Sequence, residues 1–288
     1  MADIIFLGTS VTDTSDWDQT DNWSTGTVPV NGDNVYFNHL SAPVQVLANI
    51  DQSAITLDSL TITAGFEGTI GDNTTFLQIG ADNVIVGGEA GNGSQRINLD
   101  LGTNASIVDV FSTPTTGADT NFSPLRIKAN SASTDIQING STSNVSIVDE
   151  DDATGTVGDI NVVNCNSVTI GKGCTYTNFS QLSGTTEIQE AQGTIVLASG
   201  VLTLRGSSAV TSITQTDGTC ISNTIGTITA YTGRGGTLDT IQSALARTIT
   251  TLTKSPGFTL LLHSAVTITN DDLDAAFETY QISLSETT

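Results

Sequence analysis

Between Thr186 and Asp239 the chain repeats one short unit, a few alternating β-formers followed by a glycine-centred turn, with almost nothing charged in it. Successive units start at Val201, Val210, Thr219, Thr227 and Thr237, so the start positions advance by 9, 9, 8 and 10. Gly193-Thr194, Gly218-Thr219, Gly226-Thr227 and Gly236-Thr237 open several of them, as expected where a turn residue with positive φ hands over to a β-branched strand starter. A unit this short cannot bury a face by itself, so its neighbours must stack on it. The stretch therefore predicts a β-solenoid.

The same alternation begins at Ile55-Thr-Leu57 and continues through Leu60-Thr-Ile62, Val84-Ile-Val86, Ile136-Gln-Ile138 and Val168-Thr-Ile170. Each pattern puts two or three apolar side chains on one face, and the separators are rich in Gly, Asn, Asp and Ser. Strands this short, with Thr, Ser and Asn recurring at outward positions, favour a solenoid over a sandwich of longer strands. The expected fold class is all-β, a parallel β-helix (β-solenoid) with capped ends. Its expected segments are an N-terminal cap with first strands over 1–50, the solenoid over 51–270 and a C-terminal cap over 271–288. Three strands per turn and about seven or eight turns would make a column about 35–40 Å tall. Helical spacing occurs only at Leu238–Ala246 and Leu273–Phe277, where one or two short helices are expected.

Residues 1–50 differ from the rest. Both tryptophans lie there, and Trp17, Trp23, Tyr36 and Phe37 are the expected lid on the open, apolar end of the stack. Residues 1–80 and 258–288 hold 10 of the 15 aromatic residues, and the longer stretch 81–257 holds 5, which places bulk at the ends.

Thirty acids face 8 bases, for a net charge of -22. That balance disfavours nucleic acid as a partner, because nothing could neutralise a run of phosphates. Residues 1–152 hold 20 acids and 3 bases, 153–257 hold 5 and 5, and 258–288 hold 5 and none, so charge concentrates in the flanks. No run of 18 apolar residues predicts a membrane span, and Met1-Ala2-Asp3 ahead of Ile4–Leu7 does not read as a secretory signal. Cys165, Cys174 and Cys220 form no CxxC pair and read as small buried side chains of a chain made in a reducing compartment.

Many parallel β-helices cleave polysaccharides, and the pectin-hydrolase version carries Asn-Thr-Asp, Asp-Asp, Gly-His-Gly and Arg-Ile-Lys. Arg126-Ile127-Lys128, Asp151-Asp152 and Asp271-Asp272 occur here, yet His39 and His263 stand outside any Gly-His-Gly and Arg-Ile-Lys precedes both acid pairs. The cluster Asp149-Glu150-Asp151-Asp152 reads as a solvated turn, the bases read as dispersed, and His263 reads as a strand residue near the C-terminal end. No catalytic residue and no cofactor are expected. Asp13, Asp16, Asp18 and Asp21 could offer oxygen ligands to Ca²⁺ but lack the glycine and terminal glutamate of an EF-hand. Gly87–Gly93 is glycine-rich without the aspartate of a calcium roll.

The run Trp23-Ser24-Thr25-Gly26-Thr27-Val28-Pro29, followed by Gly32-Asp33-Asn34-Val35-Tyr36-Phe37, resembles the opening of autotransporter-type passenger repeats and of tailed-phage β-helical structural proteins. Gly200 to Asp239 is similar to the solenoid repeats of phage head decoration or fibre proteins. The resemblance implies a non-enzymatic virion protein, synthesised in the host cytoplasm, a homo-oligomer with three copies as the expected number, and phage capsid or tail proteins as partners. A receptor- or glycan-binding adhesin and a carbohydrate-active tailspike are the alternatives. Because 153–257 is formally neutral, the contact face is expected there, at Thr211, Thr227, Thr229 and Tyr231.

Overall fold

A computed structural model describes residues 2–41, 45–63, 65–72, 74–87, 96–113, 123–148, 154–273 and 282–283. Among these, helix is confined to one 3-10 turn, Thr20–Asn22. The rest of the regular structure is parallel strand, wound as a β-solenoid of about ten turns.

Beyond the first strand, each strand pairs with the next but one along the chain, so the strands form two ladders; the start of Leu77–Gly87 also joins the second, pairing Leu77 with Leu99 and Gln78 with Asp100. The first ladder runs from Asp3–Ile5 to Val266–Leu273, and the second from Gln45–Val46 to Ile282–Ser283. Turns therefore hold two strands, against the three expected, and there are more turns than the seven or eight expected. The nine-residue period is half a turn.

Register gives the length of each turn. Val35, Leu60, Val84, Val108, Ile136 and Ile160 stack down the first ladder, and the numbering advances between them by 25, 24, 24, 28 and 24. Phe179, Ile195, Ile213, Tyr231 and Leu252 follow at 19, 16, 18, 18 and 21. The coil tightens after Ile160, where the sequence becomes most repetitive. Alternation fixes which side chains enter: Leu202 and Leu204 of Val201–Leu204 are buried, while Val201 and Thr203 are not.

Two polar side chains inside the tight turns have repeated wiring. Gln181 Nε2 donates to the Gly184 carbonyl at 2.9 Å and the Val201 carbonyl at 3.2 Å. Two turns on, Gln215 Nε2 donates to Gly218 at 2.9 Å and Thr237 at 3.1 Å, and its Oε1 accepts from the Tyr231 hydroxyl. Buried amides are stable there because their N–H groups use the second lone pair of corner carbonyls: Gly184 O also accepts from Val201 N at 2.9 Å and Gly218 O from Thr237 N at 2.8 Å.

The N-terminal end holds an aromatic cluster. Trp23 meets Trp17 edge-on at 4.7 Å and Phe6 at 5.0 Å, and Phe37 meets Phe66 at 5.2 Å. Trp23 Nε1 donates to the Trp17 carbonyl at 2.7 Å, and buried Asn22 gathers the Asp13–Asp16 loop beneath it. Tyr36 is not in this cluster. It is half-buried on the outward side, between inward Val35 and Phe37, because neighbouring strand residues face opposite ways.

Leu238–Ala246 is not a helix. Gly236–Asp239 is a strand, and the residues after it form a turn whose Ser243 carbonyl accepts from Arg247 Nη2 at 3.1 Å. Leu273 ends a strand, and Asp274–Phe277 of the second expected helix lie outside the described residues, as does most of 271–288. All three cysteines are buried.

Candidate functional site

Where the second ladder turns into the first, strands Ser167–Ile170, Thr185–Ile188 and Val201–Leu204 stack with Ile170, Ile188 and Leu204 in one column. Gln189 and Arg205 follow this column directly, Lys172 follows two residues after Ile170, and Glu187 points outward from its strand beside Ile188. Lys172, Glu187, Gln189 and Arg205 line a groove of about 510 Å³ there. Main-chain bonds fix its walls: Gln189 N donates to the Ile170 carbonyl at 2.9 Å and Arg205 N to that of Ile188 at 2.8 Å.

Arg205 Nε donates to Glu187 Oε1 at 2.9 Å and its Nη2 to Oε2 at 3.4 Å. With the two side chains 51% and 37% exposed, this forked pair orients the guanidinium but adds at most about 1 kcal/mol. Lys172 N donates to Gln189 Oε1 at 3.1 Å. Beside the groove, Glu190 Oε1 accepts from Ser207 N at 2.8 Å and from Ser208 N. Burial pushes the Glu190 pKa up, but the bonds from Ser208 and Ser207 and the Lys172 charge outweigh it and hold the carboxyl below its ordinary value.

The groove thus offers fixed donors and acceptors of both signs to a polar ligand. Asp16 and Asp72 are also held below their ordinary values: at Asp16 burial is outweighed by bonds from Asn49, Asp18 and Gln19, and at Asp72 the Thr74 amide dominates. These three carboxylates are acceptors at neutral pH, not general acids.

The other sequence-derived candidates fall elsewhere. Asp13 and Asp16 accept from Ser15 N and Asp18 N at 2.8 Å each, as loop-closing carboxylates, and Asp16 also binds Asn49. Among the described residues no group of three or more His, Cys, Asp or Glu could hold a metal ion. Arg126, although on the outer side of its ladder, is 2% exposed; its guanidinium carbon lies 4.6 Å, and Lys128 Nζ 3.8 Å, from the Phe76 ring centre. Asp271 and Asp272 face opposite ways: Asp271 pairs with buried Lys254 at 2.7 Å, in the column of inward Leu252, while Asp272 aligns with outward Thr253. His39 is exposed, and His263 sits in a turn, not a strand, its Nδ1 accepting from Ala265 N at 3.0 Å. Asp149–Asp152 and most of Gly87–Gly93 lie outside the described residues.

Of the expected contact residues, Thr211, Thr227 and Thr229 are exposed on the outer surface. Tyr231 is not: it is 1% exposed, in the interior column between Ile213 and Leu252. The bases are less dispersed than the sequence reading holds. Lys172 and Arg205, distant along the chain, line one groove because their separation spans about two tight turns, a signal visible only once turn length is known.

No family model, no curated protein and no solved structure matches the chain.

Proposed function

We propose that the chain is a non-enzymatic virion structural protein of a tailed phage, a capsid decoration or spike, which works through the sides of its column. The observation that carries this reading is the division of the outer surface. In the wide turns one outward row of the first ladder carries Asp135 and Asp159 and the next carries Asp109; in the tight turns the continuation of that second row is Thr214, Thr232 and Thr253. Parallel in-register strands give a stiff rod, and an uncharged strip on an otherwise acidic rod is where contact meets least repulsion. Purified phage particles from the source culture, probed with gold-labelled antibody against the chain, are expected to carry label at regular positions. Particles that lack label while the chain is found free in the lysate would contradict the proposal.

The groove at Lys172, Glu187, Gln189 and Arg205 favours a second reading, a glycan-binding adhesin, since its polar groups suit hydroxyl-bearing ligands. Labelled particles would not exclude that role for a spike. Free chain that binds host polysaccharide without shortening it would favour the adhesin, and shortened chains would favour a tailspike enzyme.

A further inference from the structure

Eight bases stand against 30 acids, and most of the eight are covered. Arg126, Arg247 and Lys254 are buried, and Arg96 and Lys128 are half-buried. That leaves Lys172, Arg205 and Arg234 exposed, and two of these three line the groove already described. The strand ends they follow lie two rungs apart, about 10 Å, with Gln189 on the rung between. Neither cation is fully engaged. Arg205 gives Nε and Nη2 to Glu187, which leaves Nη1 without a hydrogen bond among the described residues. Lys172 donates its backbone N–H to Gln189 Oε1, while its ammonium has no hydrogen-bond or ion-pair partner among the described residues. Glu190, which feels the Lys172 charge, turns its Oε1 to Ser207 N and Ser208 N.

We infer that this groove holds one uronic acid residue, a hydroxyl-rich sugar ring with a single carboxylate, and that the carboxylate sits against Arg205 and Lys172. The inference deepens the glycan-binding reading of the groove and rests on it. Sign chooses the ligand first. A chain at -22 places two of its three exposed cations at one concavity, where they outnumber the lining carboxylate Glu187 by one. An anion finds there an attraction that the rest of the acidic surface denies it. The amount of charge narrows the choice. One surplus positive charge matches one carboxylate, whereas a phosphate dianion or a run of anions would bring uncompensated charge onto an acidic body. The unit is therefore a free uronate or the end of a glycan, not the interior of a polyanion. Shape agrees: Glu187 fixes one edge of the guanidinium, so the edge formed by Nη1 and Nη2 is oriented for a planar acceptor with two oxygens. The remainder of the lining suits hydroxyls, because Glu187 and Gln189 are polar and no aromatic or aliphatic residue joins them among the described residues.

Isothermal titration of the full-length chain at neutral pH with sodium glucuronate and sodium galacturonate tests this. One of the two is expected to bind at least about tenfold tighter than its neutral parent sugar, glucose or galactose. Inorganic phosphate is expected to bind more weakly than that uronate. Lys172→Gln and Arg205→Gln should each lower the uronate affinity about tenfold. Their circular dichroism spectra should be unchanged, because both side chains are exposed. Arg234→Gln removes the exposed base outside the groove and should leave the affinity as it was. Uronates that bind no tighter than the neutral sugars, phosphate that binds more tightly, or affinities that Lys172→Gln and Arg205→Gln leave unchanged would overturn the inference. So would an equal loss in Arg234→Gln. Competition with host polysaccharide separates the two readings. Polysaccharide displaced by the uronate supports both; polysaccharide that binds and is not displaced overturns the uronate site alone. A uronate that binds where host polysaccharide does not overturns the adhesin reading alone.

Discussion

Phe37→Ala is expected to destabilise the N-terminal end by about 3–5 kcal/mol, the range for removing a buried phenylalanine from a packed core. Phe37 is fully buried, touches Phe6 at 5.3 Å and Phe66 at 5.2 Å, and lies 6.4 and 6.5 Å from Trp17 and Trp23. Rings on several sides leave little to collapse into the space. Both tryptophans of the chain sit in this cluster, so their fluorescence reports its opening, while circular dichroism reports the ladders. In a stacked architecture whose turns contact only their neighbours, the fluorescence transition should move to lower denaturant further than the dichroism transition does. Tyr36→Ala, one residue away and outward, should shift either by less than about 1 kcal/mol. Equal losses at the two positions would contradict the placement of Phe37 and Tyr36 on opposite faces.

Gly218→Ala is expected to cost about 2–5 kcal/mol, the sum of a backbone cost and a packing cost. Gly218 has φ +76°, a region that costs an alanine roughly 1–2 kcal/mol. A Cβ there would also lie 2.5 Å from the Gly200 carbonyl oxygen of the preceding turn and 2.8 Å from its nitrogen. Both atoms are backbone, so relief requires moving a rung, and overpacking of that kind adds about 1–3 kcal/mol. Gly236 repeats the geometry one turn on, with φ +76° and the Gly218 oxygen 2.3 Å from its would-be Cβ. Gly32→Ala is the control: its φ is +81°, with nothing within 4 Å, so only the conformational cost applies. Denaturation of the two variants, followed by circular dichroism, should separate them by about 1–3 kcal/mol. Coincident curves would mean that the turns do not stack at this distance.

Local features of the sequence carried the architecture. Alternation, glycine turns and the nine-residue period depend on neighbours in the chain, and they lead to stacked parallel strands. Strands per turn did not follow, because that number is set by which distant segments pair. The period counts strands and is silent on how many close a turn. Tyr231 shows the same limit at a single residue. Continuing the alternation from Thr227 and Thr229 puts residue 231 outside, but the register skips one residue after Ile228, which shifts parity by one and sends it inward. Tyr36 was open to the opposite argument: if Phe37 enters the core, its neighbour cannot. At Leu238–Ala246 a helical spacing of apolar residues yields to the pairing of Leu238 with Cys220 and Leu260, a tertiary preference that local spacing does not contain. The groove at Lys172 and Arg205 was hidden for the reason the turn length was.

The claim on which the rest depends is that successive turns stack in parallel and in register, so that Thr203 lies directly over Ile221. Pyrene attached to cysteines at those two positions tests it most directly. They face outward about 4.8 Å apart, and the three native cysteines are buried away from the reagent. Labelled chain diluted into excess unlabelled chain should show strong excimer emission for this pair. The pair Thr203 and Leu261, three rungs apart at about 14 Å, should show mainly monomer emission. Excimer missing from the adjacent pair, or equal in both, would contradict the stacked coil.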